Sequence, residues 1–176
     1  MRMHSWMAAV LGIAVFAVGT ARAQQPAAYP LDAIPEKMPF ATPYGEPISL
    51  ERAQAVIAAA KAEAKKRGWA MNMAVLDSGA NLVAFERMDG AQLASIAISE
   101  HKARVAVTYR RPTRAFEEGI QKAGFNYLMT LDDIIASRGG IPLIENGKLI
   151  GAIGCSGGTG SQDEVVATAG AAVINK

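Results

Sequence analysis

Two stretches carry the residue types best suited to chemistry. From Gly151 to Gly170, GAIGCSGGTGSQDEVVATAG runs an apolar strand into a glycine-rich loop and then a helix. Glycines at 151, 154, 157, 158 and 160 let the backbone lie directly against a ligand or another chain. Gln162, Asp163 and Glu164 stand where a phosphate cradle would place lysine and a hydroxyl residue, so the loop is not built for a nucleotide. Taken alone, it reads equally well as a tight strand-to-helix turn whose helix is capped by Ser161 with Glu164. The second stretch, Glu86 to Gly90, ends a strand in Arg87, Asp89 and a glycine, which suits a site rim or a solvated strand end.

Between them, a helix expected over Gln92 to Val107 has apolar residues on two sides: Leu93, Ile96, Ala97, Ala103 and Val107 on one, Ala91, Ala94, Ile98 and Val105 on the other. Such a helix is covered twice, and Glu100, His101 and Lys102 within it must pair or bind something. His101 is the sole histidine after His4, which excludes a multi-histidine metal site within one subunit. It leaves a single axial haem ligand, or a ring bonded locally or to solvent. Lys102 is either a site residue or a lysine reaching out to water. Ser156 lacks the spacing of a nucleophile elbow, so serine-hydrolase chemistry is not supported. Cys155, the single cysteine, reads as a small core residue.

The elements that must position these residues are readable from pattern. Ser49 caps a helix whose Leu50, Ala53, Ile57, Ala60 and Ala64 recur at helical spacing until Gly68. Met71 to Leu76 and Leu82 to Met88 form one hairpin; Leu143 to Glu145 and Lys148 to Gly154, joined by Asn146 and Gly147, form another. Short helices are expected near Arg114 to Lys122 and, capped by Thr130, over Leu131 to Ala136, with a last helix from Ser161 to about Ile174. This order favours an antiparallel sheet covered by helices.

Arg2 and His4 precede an apolar run from Trp6 to Val18 and the small-x-small triplet Ala21-Arg22-Ala23, the pattern of a signal peptide (1–23) cleaved before Gln24. The run is too short to span a bilayer, so no membrane span is expected after cleavage. Cleavage removes two arginines and no acid, leaving 16 basic and 16 acidic residues of the original 18 and 16. A neutral mature chain lacks the footprint for nucleic acid or anionic membrane. Residues 24–48 carry six of the eight prolines and read as an extended arm, with apolar Tyr29, Leu31, Ile34, Met38, Phe40 and Tyr44 suited to lying across its own domain or a neighbouring subunit.

VLDSGANLVAFERMDGA from Val75, HKAR from His101, RRPT from Arg110, RGGIP from Arg138 and GAIGCSGGTGSQDE from Gly151 together resemble the GlcG/HbpS family, also described as the carboxy-terminal domain of PduO-type proteins. The resemblance covers nearly all of 49–176. It implies an α/β (α+β) profilin-like layered domain, with an antiparallel sheet of about five strands covered by helices, the fifth lying near Phe125 to Met129. It also implies a homo-oligomer, dimer or higher, and, for some members, haem binding or redox sensing outside the cell. Matching positions place a small-ligand pocket at Arg87, Asp89, Gly90, His101, Lys102, Gly157, Gly158, Gln162, Asp163 and Glu164, with His101 the candidate ligand to haem iron. The expected function is a periplasmic or secreted binder of haem, coupled to haem handling or sensing through a sensor-protein partner. The alternative is an enzyme acting on a small oxygenated metabolite by acid/base chemistry.

Overall fold

The computed structural model describes residues 33–175, so the expected signal peptide and the beginning of the arm lie outside the described residues. The chain divides into Met1–Ile34 and a main unit, Pro35–Lys176, which holds every element described here. In order these are α1 (Leu50–Arg67), β1 (Asn72–Asp77), β2 (Leu82–Arg87), α2 (Ser95–Thr108), α3 (Arg114–Gln121), a 3-10 turn (Asn126–Thr130), β3 (Gly140–Glu145), β4 (Lys148–Ser156) and α4 (Gly160–Ala171).

Both hairpins form as their sequences require, and the strands assemble in the order β2-β1-β4-β3, antiparallel throughout. Asn146 and Gly147 adopt φ of 48° and 74°, the two left-handed residues that match a tight hairpin turn to strand twist. Strand alternation sends Met73, Val75, Ile153 and Cys155 to one face, where Val56, Ile57 and Ala60 of α1 and Val166 and Ala167 of α4 complete the main core. Cys155 is fully buried there. Ala74, Leu76 and Ala152 face α2 on the other side.

The α2 face is built from small residues. Gly140 and Gly154 are cross-strand partners, and a Cβ on either would strike the α2 backbone: Lys102 O for Gly140, Ser99 O and Ala103 N for Gly154. The helix therefore rests on bare backbone. Its other flank packs Val105 against Phe116 of α3 and Leu128. Over its C-terminal half α2 is thus covered on two sides, while Leu93, Ala94 and Ala97 near its start are exposed.

The arm lies across this same domain. Where β1 ends, Pro43 O accepts from Leu149 N (2.8 Å), Gly45 N donates to Leu149 O (2.7 Å) and Ile48 N to Ile150 O (2.9 Å). Tyr44 Oη donates to Thr108 O at the end of α2 (2.9 Å), and the Arg111 guanidinium sits 3.5 Å from the centre of the Phe40 ring. At the far edge of the sheet, Asn175 accepts from Ile144 N and donates to Pro142 O, closing the open side of β3.

Three expectations are corrected. Among the described residues the sheet has four strands, not five: Phe125 to Met129 instead enters a 3-10 turn, because Gly124 (φ 70°) reverses the chain and Phe125 N and Leu128 N bond locally to Gly119 O and Phe125 O. No helix forms over Leu131 to Ala136, where Asp133 takes a left-handed φ of 57°. The last helix is capped by Thr159, not Ser161; Thr159 accepts from Gln162 N, and Gln162 Oε1 accepts from Thr159 N, a capping box two residues earlier.

Because Gly154 touches helix backbone that cannot rotate away, Gly154→Ala should destabilise the fold by about 3 kcal/mol or more. Gly147→Ala, with open space around it and only the left-handed φ to oppose it, should cost about 1–2 kcal/mol. Urea denaturation of the two variants checks the ranking.

Candidate functional site

Lys102 leaves α2 on its sheet side and ends beneath the glycine-rich loop, where Nζ donates to Asp163 Oδ2 at 2.6 Å. Both residues are buried, at 1% and 2% exposure. Gly158 N donates to Asp163 Oδ1 (3.0 Å), so one carboxylate ties the helix, the loop and the start of α4 together. Burial pushes the Asp163 carboxyl above its ordinary range, opposed by Lys102 and by the backbone N–H groups of Gly158 and Gly157. Burial likewise pushes the Cys155 thiol far up, which leaves it without nucleophilic character. Gly139 is required at this spot, since a Cβ would meet Asp163, Cys155 O and Lys102 Nζ.

Above the clamp the loop forms one wall of a groove of about 310 Å³, lined by Gly68 to Met71, Gly90, Gln92, Gly157, Gly158 and Gln162. Arg87 and Asp89 line a second groove of about 360 Å³ with Lys61, Lys65, Glu86 and Met88. The Met88 to Ala91 turn, held by Ala91 N donating to Met88 O, belongs to both neighbourhoods. Six predicted site residues, Arg87, Asp89, Gly90, Gly157, Gly158 and Gln162, thus line two grooves at the α1 end of the sheet. Lys102 and Asp163 lie below, out of reach of a ligand propionate.

His101 and Glu164 stand elsewhere. Glu164 pairs with Arg138 (3.4 Å) and Arg114 (3.5 Å), beside the Arg138–Glu117 ion pair (2.7 Å). That arginine holds the Glu117 carboxyl below its ordinary range. His101 Nε2 lies 3.0 Å from Asp133 Oδ1 and 3.1 Å from Asp133 O. Both are acceptors, so Nε2 is the donor nitrogen of the ring, and in the neutral imidazole the lone pair lies on Nδ1. Asp133 reaches the ring with both oxygens through its left-handed backbone, a local strain of the kind that collects at functional sites. Nδ1 makes no hydrogen bond among the described residues, and 36% of the side chain is exposed. One turn back along α2 lie Ala97 and Ile98, two turns back Ala94; Arg104 is exposed one turn forward.

Among the described residues no group of three or more His, Cys, Asp or Glu is placed to hold a metal ion, and no helix is long and apolar enough to cross a membrane. An axial ligand to a haem iron would need only one nitrogen, and His101 Nδ1 is a ring nitrogen with no hydrogen bond among the described residues.

A family model described as haem degrading protein HbpS-like matches residues 48–172. The chain belongs to the HbpS-like family. It is 41% identical to the protein GlcG of Escherichia coli K12 over 109 residues, 62% of this chain and 81% of GlcG. The HbpS-like fold is also that of a crystallised double mutant of Streptomyces reticuli HbpS (30% identity, TM-score 0.69, covering 86% of this chain and 100% of that one). A crystallised PduOC–haem complex is similar too, at 25% identity and TM-score 0.66, over 73% and 96% of the two chains.

Sequence reasoning missed Asp133, hidden in a stretch read as helix, and the pairing of Lys102 with Asp163, which are 61 positions apart. The only sequence signal for the pair was a lysine among apolar helix positions. Lys102→Met, which leaves a buried carboxylate without its cation, should cost about 3–5 kcal/mol at neutral pH. Protonated Asp163 needs no cation, so the loss should shrink as pH falls toward about 4. Lys102→Met with Asp163→Leu should recover much of it, as urea denaturation at both pH values will show. Glu117 has the opposite sign: its lowered carboxyl stabilises the fold above the ordinary carboxylate range and loses that contribution on acidification, so Glu117→Gln should flatten the acid limb of stability.

Proposed function

We propose that this protein binds haem non-covalently on the exposed side of α2, with His101 Nδ1 as the axial ligand. The observation that carries the reading is the orientation of His101 by Asp133, which fixes the tautomer and leaves one lone pair beside an apolar helix face. Ala94 and Ala97 are small enough for a flat ring to lie close, Ile98 adds apolar area, and Arg104 is free of any carboxylate among the described residues to meet a propionate. Membership of the HbpS-like family and the likeness to a relative solved with haem support the same ligand. Bound haem would supply an iron centre that takes up small molecules and changes oxidation state. The chain's own residues hold it: His101 at the iron, Asp133 behind the imidazole, Arg104 at the periphery.

Haem titration tests this. The wild type should give a saturable Soret shift; His101→Ala should change the spectrum, and Arg104→Ala should weaken binding with little spectral change. Asp133→Gly, which keeps the left-handed backbone but removes the carboxylate, should weaken binding about tenfold or more. A His101→Ala spectrum identical to wild type rejects the ligand assignment.

We further infer that the protein acts outside the cytoplasm as a homo-oligomer in haem handling or redox sensing with a sensor-protein partner. The signal-like 1–23 segment, the exposed apolar start of α2 and exposed Leu50 and Leu82 beside the β2 edge support this. Native mass measurement of the exported protein should give a multiple of a protomer beginning at Gln24. A monomer, or a protomer retaining residues 1–23, refutes the corresponding part.

A further inference from the structure

Arg110 and Arg111 follow the end of α2, where the arm crosses it. The Arg111 guanidinium lies 3.5 Å from the centre of the Phe40 ring and 5.1 Å from that of Phe116, and the Arg110 guanidinium lies 5.6 Å from that of Tyr44. Each arginine gives one donor to a backbone carbonyl, Arg111 Nε to Tyr109 O (3.1 Å) and Arg110 Nη1 to Thr42 O (3.3 Å). Their remaining donors make no hydrogen bond among the described residues, and both side chains are part-exposed, so an anion can reach them. No carboxylate pairs with either, whereas Arg114 is taken by Glu118 and Glu164. Burial pushes the Arg111 guanidinium below its ordinary range; the other groups acting on it are Tyr127, Tyr109 and Arg110, with no acid among them. Two like charges thus sit side by side without a counter-ion. Both sides of the junction also hold a non-glycine residue in left-handed backbone, Phe40 (φ 59°) and Arg110 (φ 53°), strain of a kind that collects at functional sites.

Apolar side chains accompany the pair without being buried. Phe40, Tyr44 and Tyr127 are exposed beside it, and Met38, two residues before Phe40, is 81% exposed. Arginine set among aromatic and methionine side chains is the composition of a contact surface. A second copy docked on this face about a two-fold axis would bring two more unpaired arginines against the first two. A partner strand gains little from the arm, because Pro35, Pro39 and Pro43 lack the N–H that a ladder needs. The same lack lowers the cost of laying the arm against lipid, where every unmet backbone donor is expensive. Glu36 and Lys37 cancel, so the face carries the charge of its two arginines. We infer that the arm crossing, with Arg110 and Arg111 at its centre, docks on the surface of an anionic phospholipid bilayer. The guanidiniums meet lipid phosphates, which suit their planar donors, while Met38, Phe40 and the tyrosine rings enter the headgroup layer. The attachment is to one face of a bilayer and is local, since the chain from Gln24 has no net charge. It uses none of His101, Asp133 and Arg104 and stands independently of haem binding.

Co-sedimentation with lipid vesicles tests this, using the chain from Gln24, which keeps the whole main unit and omits the apolar 6–18 run that would enter lipid by itself. Vesicles of equal parts phosphatidylglycerol and phosphatidylcholine should bind the protein, pure phosphatidylcholine should not, and added salt should release it. Arg110→Gln and Arg111→Gln should each weaken binding about fivefold. Met38→Ser alters a side chain too exposed to support the fold and should weaken binding several-fold. Lys66→Gln, which removes an exposed cation at the end of α1, should bind as the wild type does, so that a general attraction of cations to the vesicle is separated from this face. Absence of binding, equal binding to both kinds of vesicle, or wild-type binding by Met38→Ser or Arg110→Gln overturns the proposal. Tighter binding to poly-glutamate than to the vesicles also overturns it and assigns the face to an acidic protein.

Discussion

An ammonium and a carboxylate held 2.6 Å apart with almost no access to water are the constraint around which this domain is arranged. Neither charge is tolerable alone in that position, so helix α2, the loop after β4 and the start of α4 must adopt one mutual geometry or none. The glycines around the pair follow from the same requirement. Gly139 leaves room for the Lys102 head, Gly140 and Gly154 let the helix sink until the lysine can reach across the sheet, and Gly158 supplies the N–H that occupies the second carboxylate oxygen. Loop shape therefore depends on one buried ion pair, while the bulk of stability comes from the apolar core that the sheet shares with α1 and α4.

That arrangement divides α2 into working surfaces. Its sheet side is consumed by structure, its α3 side by the Val105, Phe116 and Leu128 cluster, and its beginning remains open. Consecutive residues thus do unlike things: Lys102 is locked inside, while His101, about 100° around the helix, meets Asp133 at the surface. The separation keeps the histidine's surroundings from disturbing the clamp, and leaves the grooves at the other end of the sheet chemically distinct from the histidine face.

Much of this was legible in the sequence where the signal is local. The cap at Ser49, the left-handed Gly68 and the Asn146-Gly147 turn each follow from residue type alone, and each forms. Competing local signals produced the errors. Thr159 with Gln162 and Ser161 with Glu164 offer the same capping pattern two residues apart, and the choice is made by Asp163, which must face inward to meet Lys102. Leu131 to Ala136 has helical composition, yet Asp133 turns left-handed to reach His101, a demand visible only in three dimensions. The family resemblance supplied the layered fold, while the strand expected near Phe125 yields to Leu128, which is drawn down under Gly119 into the α3 cluster. The site residues read from motifs fall into four neighbourhoods, the grooves, the buried Lys102–Asp163 pair, His101 with Asp133, and Glu164 with its arginines; their sequence proximity carried no information about which way each side chain faces.

The arm that runs alongside β4 joins opposite ends of the chain. Pro43, Gly45 and Ile48 bond to Leu149 and Ile150, partners about a hundred positions later, and β1 likewise waits for β4 before the centre of the sheet exists. Helix α1 and the first hairpin can begin from local contacts, but closing such long loops carries an entropic cost that delays the rest. During synthesis the segment made early has no docking strand until nearly the whole domain has emerged. The arm therefore docks, and the centre of the sheet closes, only after β4 has been made, although α1 and the first hairpin emerge long before it.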